Sequence, residues 1–325
     1  MIPQDSLPVL RAHKLRKEFP ARSGFLAGGG KSVLAVDDVS FSLKKGETLG
    51  LVGESGSGKT TTGYLTLLLL PPSAGTVWFK GTELTALPPA RLRKIRPRMQ
   101  LLFQNPLLSF NPRKTLRALL REALLLRPSP PKDGADREMR ELLERVQLPE
   151  NILDRYPRQL SGGQQQRMAL ARALAPQPEY LVLDEALSAL DLLTQKSILE
   201  LLHKLQTELQ LAYLFITHDL RTAHQFCSRI AVLFAGQIVE ECPAGELFSR
   251  PRHPYSQFLV ESARRLLKKQ VPFPPETSFP PPPQQPERKG CVYQNRCPIV
   301  RSACREEPVP LQEIEPGRRV RCLQA

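Results

Sequence analysis

The chain has 325 residues, 41% hydrophobic and 24% charged, an ordinary balance for a soluble globular protein of about two domains. No apolar run approaches the roughly 18 residues of a spanning helix, which argues against an integral helical membrane protein. The net charge of +14 raises two partner classes, nucleic acid and an anionic membrane surface, beside the plainer and favoured reading of a solvated basic face.

The clearest basic cluster is Arg91, Arg93, Lys94, Arg96 and Arg98. No aromatic residue is interleaved with it, and aromatics are only 6% of the chain, which weakens a single-strand stacking reading. Met1 to Leu10 holds Asp5 and two prolines and has no basic-then-apolar signal pattern, so a cytosolic location is expected.

Residues 5–19 alternate loosely and read as a strand ending at Phe19-Pro20. Ala21 to Lys31 is a Gly-rich loop, and Val33 to Leu43 resumes strand character. After the turn Lys44-Lys45-Gly46, Glu47 to Val52 reads as a buried strand. Then comes Gly53-Glu54-Ser55-Gly56-Ser57-Gly58-Lys59-Thr60, which fits G-x-x-x-x-G-K-[ST] without a mismatch. Thr61 to Leu70 reads as a helix ending at Pro71-Pro72. Strand, Gly-rich loop and helix together are the context a phosphate loop needs. Its backbone N–H groups and the helix dipole suit phosphate oxygens. Lys59 is placed to reach the β- and γ-phosphates, and the Thr60 hydroxyl to ligate Mg²⁺.

Gly75 to Phe79 and Lys80-Gly81 are a further strand and turn. Lys114 to Leu126 and Asp136 to Leu148 have helical patterns, separated by Arg127-Pro128-Ser129-Pro130-Pro131. They read as a helical subdomain inserted into an α/β core. Leu160-Ser161-Gly162-Gly163-Gln164 opens another helix, with Ser161 a good cap. Tyr180 to Leu183 is an apolar strand ending in Asp184 and Glu185, and Ala212 to Thr217 is a second, ending in His218-Asp219. Ile230 to Phe234 and Ile238 to Glu241 read as a hairpin, and the alternation of strands and helices implies a mostly parallel sheet. Pro274-Pro275 and Pro280 to Pro283 make a stiff linker into a tail holding four of the six cysteines.

These residues carry a resemblance. The phosphate loop, Gln104 after an apolar strand, the Leu160–Gln164 run, the Asp184-Glu185 strand end, Ser188-Ala189-Leu190-Asp191 and His218 occur in one order. Together they resemble the nucleotide-binding subunit of an ABC transporter. Gln104-Asn105-Pro106 with Asn111-Pro112, His253-Pro254-Tyr255 and the cysteine tail are similar to the oligopeptide/dipeptide/nickel import ATPases, in particular the second ATPase of a heteromeric pair.

The resemblance implies an α/β P-loop NTPase cassette: a RecA-like mixed sheet core, an antiparallel β part and an inserted helical subdomain at about 105–178. The cassette would span 1–270, the linker 271–289 and the Cys-rich extension 290–325. It implies ATP bound by Phe19 and by Gly53, Glu54, Ser55, Gly56, Ser57, Gly58, Lys59, Thr60 and Thr61. Phe19 would stack on adenine, although a buried core Phe accounts for the same residue. Mg²⁺ would be held by Thr60, Asp184 and Gln104. Glu185 would polarise the attacking water, His218 would contact the γ-phosphate, and Gln104 would reach Mg²⁺ or the water. Ser161, Gly162, Gly163, Gln164 and Asp191 would act across a dimer on the partner's nucleotide. The sequence departs from the family pattern at Ala186, where Pro is usual, and at Asn105, where Asp is common.

By spacing, Cys291, Cys297, Cys304 and Cys322 match neither close zinc pairs nor a ferredoxin run, which leaves free or structural thiols. The resemblance implies a [4Fe-4S] cluster, with zinc the alternative, its negative charge offset by Arg296, Arg301, Arg305, Arg318, Arg319 and Arg321. Cys227 and Cys242 read as buried small hydrophobes. The linker is expected to keep the tail apart from the nucleotide site. Ser109 or Phe110 is expected to meet a permease loop.

The activity implied is ATP hydrolysis that energises uptake of dipeptides or oligopeptides, at the cytoplasmic face of the membrane and peripheral to it. The partners implied are two permease subunits, a second homologous ATPase and an extracytoplasmic solute-binding protein, with no nucleic acid. Nickel or metal-chelate import by the same family, and a soluble ABC ATPase acting on nucleic acid, are the competing readings. A regulatory subunit without turnover would lack Glu185, which is present.

Overall fold

The computed structural model describes residues 7–20, 32–131, 133–188, 190–267 and 289–325. The Gly-rich stretch 21–31 and nearly all of the Pro-rich linker lie outside the described residues. Strand β1 (Leu10–Phe19) buries Leu10, Ala12 and Leu15, and β2 (Val33–Leu43) buries Leu34, Val36, Val39, Phe41 and Leu43. In each the alternation slips once, at Lys14 and at Asp38, where φ is 47° and 52°. A left-handed residue of this kind turns the following side chains back onto the core face.

Strand β3 (Thr48–Val52) is buried throughout and leads through the glycine loop into α1 (Lys59–Thr66). β4 (Ala74–Phe79) and β5 (Thr82–Glu83) flank the Lys80-Gly81 turn. α2 (Pro89–Ile95) starts with Pro at its first position, where the missing N–H costs nothing, and runs toward β6 (Met99–Leu102). Next come the amphipathic α3 (Leu116–Leu124) and α4 (Ala135–Arg145), then α5 (Gly162–Leu174) and β7 (Tyr180–Asp184). They are followed by α6 (Leu192–Leu209), β8 (Ala212–Thr217), α7 (Leu220–Phe226), β9 (Arg229–Phe234) and β10 (Gln237–Pro243). The chain ends with α8 (Ala244–Ser249), α9 (Pro254–Leu267), α10 (Ala303–Glu306), β11 (Gln312–Glu315) and β12 (Arg318–Val320).

Two compact units divide the chain: Met1–Leu10 with Leu43–Thr48 and Phe79–Ile216, and Arg11–Ser42 with Leu49–Trp78 and Thr217–Ala325. In the first, β6 pairs with β7 and β7 with β8, all parallel. The helices α3, α4 and α5 lie between β6 and β7 in sequence and pack on one another through Leu116, Leu120, Met139, Leu143 and Met168. The chain leaves one strand, builds this helical insertion, and returns as the neighbouring strand. In the second unit β3 pairs with β9 in parallel, and β9 with β10 as an antiparallel hairpin closed by Ala235-Gly236. Positive φ at both turn residues, 47° and 85°, matches the tight turn a twisted hairpin needs. β12 then pairs antiparallel with β10, and β11 with β12.

The extension is thus built into the second unit's sheet. Five of its residues are buried apolar groups: Val292, Tyr293, Cys304, Val309 and Val320. About 35 residues cannot bury a core of their own, so they share the core beneath β10.

Candidate nucleotide site and the extension beside it

The loop Gly53–Gly58 follows β3 and has little choice of residue. A Cβ at Gly53 would fall 2.1 Å from the Leu233 carbonyl oxygen, and one at Gly58 would fall 2.3 Å from that of Ala35. Gly58 also sits at φ 102° as the cap of α1. The hairpin turn supports the loop from outside, since Gly236 N–H donates to Ser57 O at 2.9 Å. Lys59 is buried, and its Nζ donates to Gly53 O and Glu54 O, both at 2.8 Å. Ser57 is buried too, and its Oγ has no hydrogen-bond partner among the described residues. A buried hydroxyl left unsatisfied is costly unless a ligand completes it. Ser55, Gly56 and Thr60 are exposed, and Thr61 is half-buried in the first turn of α1. A cation, a helix start and a polar atom without a partner make a cradle that fits a polyphosphate. Phe19 belongs to the same unit. It is half-buried, with Lys17 Nζ 5.3 Å from its ring centroid.

The acidic candidates belong to the other unit. Asp184 ends β7 and is 6% exposed. Glu185 follows at φ 46° with its N–H on Ile216 O at 3.0 Å, and Ser188 N–H closes a turn on Glu185 O at 3.1 Å. The turn therefore forms with Ala186, buried at 2%, in place of proline. Left-handed backbone at Glu185 re-aims its side chain relative to Asp184, so the two acids face differently. Gln104 is exposed, and its Nε2 donates to Glu185 Oε2 at 3.2 Å and to Ser188 Oγ at 3.3 Å. Asn105 caps the next turn, its Oδ1 accepting from Leu107 N–H at 3.0 Å. Short polar side chains of this type suit that role, which explains how the chain carries Asn there. His218 is exposed just beyond β8, and Asp219 caps α7.

The turn Pro106–Ser109 corrects one expectation. Phe110 is 5% exposed and belongs to the core, whereas Leu108 is 76% exposed. Ser109 is half-buried, and the apolar side chain that stands out from this turn is Leu108.

Ser161 caps α5 through a reciprocal pair: Gln164 N–H donates to Ser161 Oγ at 3.4 Å, and Ser161 N–H to Gln164 Oε1 at 3.1 Å. Ser161 and Gly162 are exposed and Gly163 half-buried at this helix start. Asp191 caps α6, accepting from Thr194 N–H at 3.0 Å and Thr194 Oγ1 at 2.7 Å, and these bonds hold its carboxyl below the usual range. Leu192 and Leu193, next along, are 76% and 82% exposed.

Cys291, Cys297, Cys304 and Cys322 line one cavity with His253 and Pro254. Its volume is about 10 Å³, close to the space one water needs. Burial pushes the Cys291 thiol up to about 11 and raises Cys297 and Cys322 as well. Among the described residues no group of three or more His, Cys, Asp or Glu is placed to hold a metal ion. Four of the six arginines expected to offset the thiols are paired with carboxylates instead. Arg318 pairs with Glu240 and Glu246, Arg319 with Glu241, Arg321 with Asp38 and Arg296 with Glu54. Cys227 and Cys242 are buried apart from this group, and burial pushes the Cys242 thiol up to about 12.

The extension is not held apart from the phosphate loop. Arg296 Nη1 lies 2.9 and 3.2 Å from the Glu54 carboxylate oxygens, and Tyr255 Oη accepts from Glu54 N–H at 3.0 Å. The sequence alone does not assign Tyr255 or Arg296 to this site. His253-Pro254-Tyr255 marks a resemblance without saying what the tyrosine touches.

A family profile described as ABC transporter matches residues 36–188, and one described as oligopeptide/dipeptide transporter, C-terminal region, matches 239–304. The chain is 40% identical over 327 aligned residues to the oligopeptide transport ATP-binding protein AppF of Bacillus subtilis, covering 97% of this chain and 96% of the relative. It is 37% identical to a putative peptide import ATP-binding protein of Brucella ovis, covering 98% of each. Among solved structures, the ATP-binding cassette MJ0796, a dimer bound to ADP and Pi, aligns with TM-score 0.64 and 29% identity, over 72% of this chain and 98% of that one. cbiO1 of Clostridium perfringens aligns with TM-score 0.65 over 81% of this chain and 99% of that one; at 23% identity it speaks for the fold alone.

Proposed function

The chain belongs to the ATP-binding subunits of ABC transporters, in the oligopeptide and dipeptide group, and on that premise we propose that it hydrolyses ATP to energise import of peptides. The observation that carries this reading is the phosphate loop, with Lys59 Nζ laid back on Gly53 O and Glu54 O and Ser57 Oγ buried without a partner among the described residues. Lys59 and the loop amides from Gly53 to Thr61 bind the phosphates, and Phe19 stacks on adenine. As the family membership implies, Thr60, Asp184 and Gln104 would hold Mg²⁺, which would neutralise charge on the transferring phosphoryl group. Glu185 polarises the attacking water and accepts its proton, Gln104 positions that carboxylate, and His218 contacts the γ-phosphate. Ser161, Gly162, Gly163, Gln164 and Asp191 complete the nucleotide site of a second ATPase subunit.

The relatives are named for oligopeptide or peptide import, which favours peptides over nickel or metal chelates. Among the described residues no helix is long and apolar enough to cross a membrane. A peripheral place on the cytoplasmic face, with two permease subunits, a second ATPase and an extracytoplasmic binding protein, is the assembly we propose. Affinity capture from native membranes tests it. Recovery of permeases supports the importer, and recovery of RNA with soluble proteins overturns it in favour of a nucleic-acid ATPase.

The four tail thiols are a separate matter. Their convergence on one cavity is what supports a metal there, and thiolates suit both an iron–sulfur cluster and zinc. As arranged they do not fit one, so no step of the function runs through it. Iron and zinc analysis of anaerobically purified protein decides between the cluster, zinc and free thiols.

A further inference from the structure

The phosphate loop carries a carboxylate, Glu54, in the middle of a site built for anions. Left bare, that charge would repel a polyphosphate and lower its affinity. It is not bare. Arg296, whose side chain is 12% exposed, reaches both Glu54 oxygens through Nη1, at 2.9 and 3.2 Å. Its guanidinium carbon lies 5.7 Å from the Phe234 ring centroid. Phe234, Tyr255 and Tyr293 form one aromatic group, with centroids 4.6 to 5.4 Å apart, and the guanidinium lies against its Phe234 member. From the same group the Tyr255 hydroxyl accepts the Glu54 N–H, so side chain and backbone of one loop residue are both held. The two holding residues sit beside the cysteine cavity in sequence: Tyr255 follows His253-Pro254, and Arg296 precedes Cys297, all cavity-lining residues. His253 Nδ1 accepts Tyr255 N–H at 3.1 Å, and burial pushes this imidazole down to about 3, so it stays a neutral acceptor.

We propose that Arg296 and Tyr255 are positioning residues for nucleotide binding: the C-terminal extension neutralises Glu54 and clamps the phosphate loop, so nucleotide affinity depends on the cysteine segment. This rests on the reading of Gly53–Thr60 as the phosphate-binding loop. The device differs from a purely structural contact in one respect. Its main effect is electrostatic, so removing the carboxylate repairs the loss of the arginine.

The test is titration of the full chain with ATP and Mg²⁺ by calorimetry, at low and at high salt. Arg296→Gln keeps a polar side chain of shorter reach and removes the charge. It is expected to weaken ATP binding by about tenfold at low salt and by clearly less at high salt, where screening mutes Glu54. Arg296→Lys keeps the charge and is expected to stay near the parent. The double variant Glu54→Gln with Arg296→Gln is expected to recover affinity to that of Glu54→Gln alone. With the assembled transporter, Arg296→Gln should raise KM for ATP and leave kcat nearly unchanged. Parent-like binding by Arg296→Gln, or a double variant no better than the single one, overturns the clamp. Lys59→Ala separates the two readings: if it binds ATP as the parent does, the phosphate-loop assignment fails, whereas its loss beside an unaffected Arg296→Gln removes the clamp alone.

Discussion

Gln104 Nε2 donates to Glu185 Oε2 at 3.2 Å, tying the loop after β6 to the acid after β7. The two strands are parallel neighbours, so the contact spans the ends of adjacent strands in one sheet. The same amide reaches Ser188 Oγ at 3.3 Å, and the carboxylate is oriented rather than swinging free.

Glu185→Gln keeps the shape of the side chain and removes the base. ATP binding should persist while hydrolysis falls by about 10²–10⁴-fold. Gln104→Ala leaves the base in place and frees it to rotate, so its loss should be well short of that. Steady-state phosphate release beside an ATP titration measures both, and near-normal turnover in Glu185→Gln would remove the assigned role.

Leu108 stands out at 76% exposure on the turn before the helical insertion. A cysteine at this position, carrying a bifunctional reagent in native membranes, should capture a permease loop. The same reagent at Phe110→Cys should react only after unfolding, because that position is buried. Capture of soluble proteins alone from Leu108→Cys would contradict the importer.

The parts legible in the sequence are local. The glycine spacing of the loop, the apolar run before Asp184, the serine that caps α5 and the hairpin ending β10 each carry their signal within a few residues. The illegible parts are long-range. Glu54 and Arg296 are 242 positions apart, and no periodicity links them. Arg318, Arg319 and Arg321 sit in a cysteine segment and look like counter-charges for thiolates, yet β12 pairs with β10 and delivers them to Glu240, Glu241 and Asp38. Phe110, expected to meet a partner, is buried, and Leu108 is exposed instead, because a short 3-10 turn decides which side chain faces outward.

Ser161 tests two roles at once. As the cap of α5 it contributes about 1 kcal/mol to stability. If it also contacts the nucleotide of a second subunit, Ser161→Ala should cut hydrolysis far more than that figure can explain. Chemical denaturation of the single chain gives the first quantity and ATPase assays of the assembled complex the second. Equal small effects on both would leave Ser161 a cap only.

Arg318 and Glu240 are both fully buried, 3.4 Å apart, with Arg318 also on Glu246 at 2.9 Å. Arg318→Ala strands Glu240 and should cost about 3–5 kcal/mol at neutral pH. Burial already raises the pKa of Glu240, although the Arg252 and His253 N–H groups oppose the rise. An acid raised in the folded state contributes stability below its unfolded pKa and loses it as pH rises through the folded value. Without Arg318 that rise is larger, so the variant's deficit should shrink in acid and peak at neutral pH. Denaturant midpoints across pH 4 to 7.5 would measure it, and a deficit independent of pH would exclude a charged Glu240 as the cause.

The pairing of β12 along β10 has a practical consequence for anyone shortening this chain. Removing the residues after 289 uncovers a row of backbone donors and acceptors on β10, a strand whose Ile238 and Val239 are buried. An open edge of that kind recruits strands from other molecules. Poor solubility of a truncated cassette would then reflect intermolecular strand pairing, and would say nothing about whether the phosphate loop still binds ATP.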